Sequence, residues 1–460
     1  MFPSAALHAK KSLLALFFAL VKRTNIVIHS PCMSNEYLFF FKIQNASNRQ
    51  LFDSEEDAAI FLGLLDSLFM FSYALGLYVS GWLGDRFSHR KVLFGGSVFS
   101  ALIIFLFGYV TEISHFYNKP FYCVLWILNG LTQSTVWPSA VAILNSRAGS
   151  FRGFVLGTWS SCASAGNIIG DLLVGVLVPF GYHYGFLVPS VTMFAFSFML
   201  LFGLSDKPYA SEHTLFPETN SAEEESLMNK QPSSAPRNVS FWRVFAVGGV
   251  IFSSLAYACI KLVNYALFFW LTFYLTSNFG WSNSDASTFS VWYDVGGILG
   301  GVVAGLVSDL IVRYMSRNAV ILLFSVFAVP TLLAYRYTPP NPAWLNGLVM
   351  GIAGLMVGGP AVLISTVVIR DLSETDELSG ARTQATIAGI IDGTGSLGAS
   401  LGQILIPYLA FRFGWSSAFY LFMTCMILTC FCVLPLWIKQ RIKERHRSLS
   451  TSNDNIYSRL

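Results

Sequence analysis

Three basic residues lie inside long apolar runs of this sequence. Lys22 and Arg23 fall within the first apolar stretch, and Lys261 falls midway along a stretch in the second half of the chain. A charge at the centre of a spanning helix costs roughly 2.5–3.5 kcal/mol on insertion scales, so it usually faces a cavity or a partner. One cationic group from each half would clamp a phosphate dianion at the membrane midplane. Alternatively, Lys22 and Arg23 extend to an interface, and Lys261 pairs structurally with a buried acid.

Acidic residues also occur inside the apolar runs, namely Asp66, Asp171, Asp294 and Asp392. In one interpretation they neutralise the cations or hold helix ends. In the other, one of them is a proton site or a switch partner that releases the lysine when phosphate leaves. The sequence leaves both interpretations open.

Polar and aromatic residues on the same runs could hydrogen-bond or stack against a sugar. The candidates are Gln133, Trp137, Asn167, Asn264 and Tyr265, with Tyr73, Asn129 and Tyr293 as further members of the set. Packing is the alternative role for each of them.

A motif occurs twice, in matching loops. The segments GWLGDRFSHRK (81–91) and GLVSDLIVRYMSR (305–317) each have Gly, then Asp four residues later, then a basic cluster. The glycines would let two helices approach closely, and the aspartate would meet a helix N-terminus or a basic partner. We therefore expect Gly81, Gly84, Asp85, Arg86, Arg90, Lys91 and, in the second copy, Asp309 to control conformation and not substrate choice.

The elements that carry these residues are membrane helices. The chain is 54% hydrophobic and only 12% charged, a composition typical of a membrane protein. Runs of about 20 apolar residues predict twelve spanning helices, approximately 12–32, 58–80, 92–111, 120–144, 153–178, 185–205, 243–275, 286–309, 317–336, 342–368, 384–410 and 415–437. The fold class is thus all-α, with two pseudo-symmetric six-helix bundles (1–205 and 243–437), a linker (206–242) and a basic tail (438–460).

The distribution of Lys and Arg predicts the orientation, with both termini in the cytosol. Asn45, in the sequon NAS, then lies in a non-cytosolic loop where it could be glycosylated. The cytosolic segments YSRL (457–460) and EEESLM (223–228) resemble sorting signals, so an endosomal or lysosomal membrane is an alternative to the endoplasmic reticulum.

The first motif resembles the signature between helices two and three of the major facilitator superfamily. The segments NGLTQSTVWPS (129–139), ACIKLVNYALFFW (258–270), WYDVGG (292–297) and AGIIDGTGSLGASLGQ (388–403) resemble, more narrowly, the sugar-phosphate exchangers of solute carrier family 37. The resemblance implies an endomembrane antiporter that exchanges an organic phosphate for inorganic phosphate. It also implies that basic residues of helices one and seven bind the phosphate.

We therefore expect an alternating-access antiporter for a phosphorylated sugar or a related organic anion. A proton-coupled symporter on the same fold and a non-transporting subunit that assists another membrane protein are alternatives. An enzyme is not expected, because the sequence shows no nucleophile and base pair and no soluble domain. The spacing of the seven cysteines does not match a metal site, and no cofactor or nucleic-acid partner is predicted.

Overall fold

The computed structural model describes residues 55–145, 152–160, 166, 177, 180–203, 239–281, 283–311, 316–375, 377–378 and 383–457. Within these ranges the chain forms helices and no strands. We number them α1 (Glu55–Arg86), α2 (His89–Ile113), α3 (Lys119–Gln133), α4 (Val136–Asn145), α5 (Arg152–Ser160), α6 (Tyr182–Gly203), α7 (Phe241–Phe245), α8 (Gly248–Phe279), α9 (Asn283–Ile311), α10 (Arg317–Tyr337), α11 (Ala343–Ser373), α12 (Gln384–Phe413) and α13 (Trp415–Tyr457).

Eight of the described helices contain a segment long and apolar enough to cross a membrane. Ten of the twelve predicted spans coincide with described helices, with α3 and α4 together forming one of them, and an eleventh, the fifth, begins with α5. The first predicted span, 12–32, lies outside the described residues, as does most of the fifth beyond Ser160.

Helix ends depart from the predicted ones where polar residues continue a helix. α1 runs to Arg86, and α13 continues through most of the segment predicted as a tail. Because Lys, Arg and Glu favour helix and no Pro or Gly follows Pro435, nothing in the sequence ends α13 where its apolar run ends. The short helix α7 begins inside the segment predicted as a linker.

The two halves contact each other through two equivalent pairs of helices. In the first half α1 packs on α12, and in the second half α9 packs on α5. Among the described residues, the buried apolar side chains form two clusters. One is mostly made of residues from 244 onwards, and the other lies mostly between 65 and 193. This partition agrees with two bundles that each bury their own core.

Glycines allow the close approach at both helix pairs. A Cβ at Gly81 of α1 would lie 2.5 Å from the Ala385 carbonyl oxygen of α12 and 2.9 Å from the Gly389 Cα. A Cβ at Gly153 of α5 would lie 2.6 Å from the Gly305 carbonyl oxygen of α9. Side chains here would force the backbones apart, so small residues set the distance between the halves.

Candidate functional site

A buried ion pair joins α8 and α12 of the second half, where α12 meets α1 of the first half. The Lys261 Nζ of α8 donates hydrogen bonds to the Asp392 Oδ1 at 2.6 Å and to the Ser396 Oγ at 2.7 Å, both on α12. The Tyr73 hydroxyl of α1 donates to the other oxygen, Asp392 Oδ2, at 3.3 Å. The Lys261 and Asp392 side chains are both only 2% exposed. Asp392 thus joins a helix of each half, and we call these four residues the central node.

Tyrosine rings surround the ammonium group. The Lys261 Nζ lies 5.3 Å from the ring centre of Tyr265, 5.5 Å from that of Tyr257 and 5.8 Å from that of Tyr73. These distances fall within the range in which a ring face attracts a cation. The node therefore offers one cation, one anion and several phenolic groups in a small volume.

Simple spacing explains how these groups converge. Tyr257 and Tyr265 lie four residues before and after Lys261, and Ser396 lies four residues after Asp392, so each set shares one helix face. The sequence predicts roles for Lys261, Asp392, Tyr265 and Tyr73. It misses Ser396 and Tyr257, which the four-residue spacing from a buried charge could have identified.

Further predicted residues lie on the same helices but make other contacts. The Tyr293 hydroxyl of α9 donates to the Asn264 Oδ1 of α8 at 2.9 Å. Asp294, the next residue of α9, is half-buried. The Trp270 indole N–H of α8 donates to the Gln403 Oε1 of α12 at 2.9 Å, so α8 and α12 are joined by a second polar contact.

The candidates on α3 and α4 are buried within the helix packing. The Gln133 amide and the Ser100 hydroxyl of α2 both donate to the Asn129 Oδ1, at 3.1 and 2.7 Å. Trp137 stacks on Trp159 of α5, with ring centres 4.7 Å apart. The structure thus brings Gln133 and Asn129 to a polar contact between α3 and α2 and does not place them in the central node.

Several predicted residues lie outside the described ones. They are Lys22, Arg23, Asn45, Asn167 and Asp171. Asp66 lies on α1, with its side chain outside the described atoms. Of the basic residues predicted to form the clamp, the structure therefore describes only Lys261 of α8, and the clamp itself stays a prediction.

The repeated motif joins the halves at one end of the bundle. The Asp85 carboxylate accepts hydrogen bonds from the backbone N–H groups of Ala385 at 3.1 Å and Thr386 at 2.6 Å. This is the N-terminus of α12, one of the two placements predicted for this aspartate. An acidic group there satisfies unpaired N–H groups and interacts favourably with the helix dipole.

The second copy of the motif makes the equivalent contact. The Asp309 carboxylate of α9 accepts from the N–H groups of Gly153 at 3.0 Å and Phe154 at 2.8 Å, at the N-terminus of α5. Arg317 adds a charged link, since its guanidinium donates to both carboxylate oxygens of Asp371 at 2.9 and 3.0 Å and to the Asp309 Oδ1 at 3.4 Å. We call the Asp85 and Asp309 contacts the two end joints.

The predicted basic residues of the first motif are arranged differently. Arg86 is exposed, and its guanidinium lies 4.3 Å from the centre of the Trp82 ring. Lys91 is exposed and Arg90 half-buried in the first turn of α2. A further contact across this end comes from Arg370 of α11, which donates to the Asn145 carbonyl oxygen of α4 at 2.6 Å.

Comparison with known proteins assigns this architecture. The sequence profile of the Major Facilitator Superfamily matches residues 13–383. This chain belongs to that superfamily. It is a multi-pass membrane transporter and not an enzyme, and the repeated motif and the paired bundles are features of a transporter fold.

Named relatives place it more narrowly among the sugar phosphate exchangers. Sugar phosphate exchanger 3 of Bos taurus is 39% identical over 460 residues, covering 95% of this chain and 91% of that protein. The Mus musculus protein of the same name is 42% identical over 86% of this chain and 83% of its own length. Glucose-6-phosphate exchanger SLC37A2 of Mus musculus is 32% identical over 84% of this chain and 81% of that protein. The resemblance predicted from the sequence segments is confirmed.

Solved structures share the fold at low sequence identity. The proton:xylose symporter XylE has a TM-score of 0.68 and 13% identity, over 93% of this transporter and 98% of that chain. The Escherichia coli fucose:proton symporter FucP has a TM-score of 0.60 and 14% identity, over 92% of this transporter and 97% of that chain. At these identities the likeness concerns the fold alone.

Proposed function

We propose that this transporter exchanges a phosphorylated sugar or a related organic anion for inorganic phosphate by alternating access. The observation that carries the proposal is Lys261, a lysine held 2% exposed at the middle of a spanning helix, where both halves meet. Maintaining such a charge inside a membrane is costly, and cations so placed usually serve an anionic substrate or an ion path.

Chemistry and relatives both support an anionic phosphate substrate. An ammonium group and the phenolic groups of Tyr257 and Tyr265 offer positive charge and hydrogen-bond donors of the kind that phosphate oxygens accept. Relatives of this chain are named sugar phosphate exchanger and glucose-6-phosphate exchanger. Lys22 and Arg23, on the first predicted helix, would supply the facing cation.

Alternating access is supported by the end joints. Asp85 and Asp309 tie the halves together at the end of the bundle that carries the basic loops, which the positive-inside rule assigns to the cytosol. For the central node to open to that side, both joints must separate. The bundles would then rock about the node. We also propose that both chain termini lie in the cytosol. The membrane would be that of the endoplasmic reticulum, an endosome or a lysosome.

Counter-flow in proteoliposomes tests the proposal. Labelled phosphate should exchange against unlabelled phosphate or glucose 6-phosphate in the intact chain. The Lys261→Ala variant should lose exchange, whereas Lys439→Ala, at an exposed lysine of α13, should retain it. Absence of exchange by the intact, folded chain would contradict the proposal and favour another anion or an accessory role.

A proton-coupled symporter is the second candidate, and the buried carboxylate of Asp392 is the observation that favours it. Acidic residues inside a spanning segment often mark ion or proton paths, and this one contacts a helix of each half. Uptake driven by a pH gradient with no counter-anion inside the vesicle would support this candidate over exchange.

A further inference from the structure

In the described structure, Asp392 occupies the hydrogen-bonding positions around Lys261 that a bound anion would need. Its Oδ1 lies 2.6 Å from the Lys261 Nζ, and its Oδ2 accepts from the Tyr73 hydroxyl. The Ser396 hydroxyl takes a further bond from the same ammonium group at 2.7 Å. An ammonium group has three protons to donate, and Asp392 and Ser396 accept two of them.

Among the described residues, the charges of the central node cancel, which favours this arrangement without substrate. One cation and one carboxylate cancel, and the nearest aromatic groups, Tyr73, Tyr257 and Tyr265, add no formal charge while their phenols are protonated. A second anion brought to Lys261 would meet the Asp392 carboxylate at close range. Like charges at this distance in a buried site repel strongly, so two anions cannot share the lysine at low cost.

We propose that Asp392 is a resident anion, which holds Lys261 and Tyr73 when the node contains no substrate and which the transported phosphate group must displace. This inference rests on the proposed function. It assigns Asp392 a competitive role, so that the affinity for phosphate is set by the difference between two anions at one lysine.

A competing anion differs from a positioning group in a measurable way. If Asp392 only orients Lys261, its loss weakens phosphate binding. If it competes, replacing its charge by a neutral amide strengthens binding, because the phosphate no longer repels a carboxylate or replaces it at the ammonium group. The amide introduced by the Asp392→Asn substitution keeps the side-chain shape and one acceptor oxygen.

The test is phosphate binding by the purified full-length protein, measured by calorimetry at one pH. Asp392→Asn should bind inorganic phosphate roughly tenfold or more tightly than the unmodified chain, since one charged hydrogen bond no longer has to be broken. The matched control is Asp285→Asn, the same change at an exposed aspartate of α9, which should bind as the unmodified chain does. Adding Lys261→Ala to Asp392→Asn should abolish the gain.

The outcomes separate failure of the resident-anion inference from failure of the proposed function. Binding by Asp392→Asn alone, with none measurable in the unmodified chain, also supports the resident anion. Equal or weaker binding by Asp392→Asn overturns it, while the proposed function stands if phosphate binding by the unmodified chain is lost in Lys261→Ala. Absence of phosphate binding in both proteins overturns the proposed function and this inference with it.

A second variant covers the case in which Asp392→Asn does not fold. Tyr73→Phe keeps the ion pair and removes one donor to the Asp392 carboxylate. Because Asp392 then lacks one hydrogen-bond donor, phosphate should displace it more easily and bind about two- to fivefold more tightly. Unchanged or weaker binding by a folded Tyr73→Phe variant would contradict the proposal.

Discussion

The central node and the end joint at Asp85 both tie α1 to α12, but with different chemistry. At the node a tyrosine and a lysine share the Asp392 carboxylate, whereas at the joint the Asp85 carboxylate accepts from two backbone N–H groups of α12. Tyr73 and Asp85 are about 18 Å apart along the helix. In the proposed mechanism a substrate anion replaces a side-chain carboxylate at the node, but from there it cannot reach the backbone donors at the joint. The proposed recognition site and the proposed conformational contact are thus separated along one pair of helices.

The largest effect is expected when one charge of the node is removed. Lys261→Ala leaves Asp392 buried without its cation and should destabilise the folded protein by roughly 3–5 kcal/mol. Replacing both residues by alanine should restore most of that stability. Thermal unfolding in detergent of the two variants measures this coupling, and equal stability of the single and double variants would contradict it.

Closing space at the α1–α12 contact should have the next largest effect. Gly81→Ala places a Cβ against the backbone of Ala385 and Gly389 and should cost about 1–3 kcal/mol by overpacking. Gly95→Ala is the matched control, because a Cβ there meets nothing within 4 Å. Comparison of melting temperatures and exchange rates would show the difference, and similar losses in both variants would refute a special role for Gly81.

Breaking an end joint should change the transport rate more than substrate affinity. Asp85→Ala and Asp309→Ala each remove a helix cap, at an expected cost of about 0.5–2 kcal/mol to the closed end. Initial exchange rates over a range of phosphate concentrations separate the two parameters. An altered kcat with little change in KM is expected, and a KM that rises alone would argue that the joints take part in recognition.

The smallest effect is expected at the arginine that supports the second joint. Arg317→Lys keeps the charge but loses the paired hydrogen bonds to Asp371. The expected loss is about 1 kcal/mol, visible as a small decrease in melting temperature and a modest change in exchange rate. A loss as large as that of Asp309→Ala would mean that Arg317 holds the joint more than the helix cap does.

Sequence patterns predict the spanning helices, because burial in a membrane requires long apolar runs. They also predict the close helix contacts at the two motif copies, because such contacts require glycine. They also identify Lys261 and Asp392 as exceptional, since charge is rare in such runs. They do not predict that these two residues meet, because 131 positions separate them and four candidate acids are present. Gln133 and Trp137 show that residue type alone does not distinguish a substrate contact from helix packing, since polar and aromatic groups on a spanning helix serve both.

The most direct test of the central claim separates the charge of Lys261 from its contribution to stability. Labelled phosphate counter-flow should be measured for the intact chain and for the Lys261→Ala/Asp392→Ala double variant, reconstituted at equal amounts of folded protein. The account predicts exchange in the intact chain and none in the double variant, although the latter is folded. Exchange at an undiminished rate in the double variant would show that the transported anion does not depend on the central node.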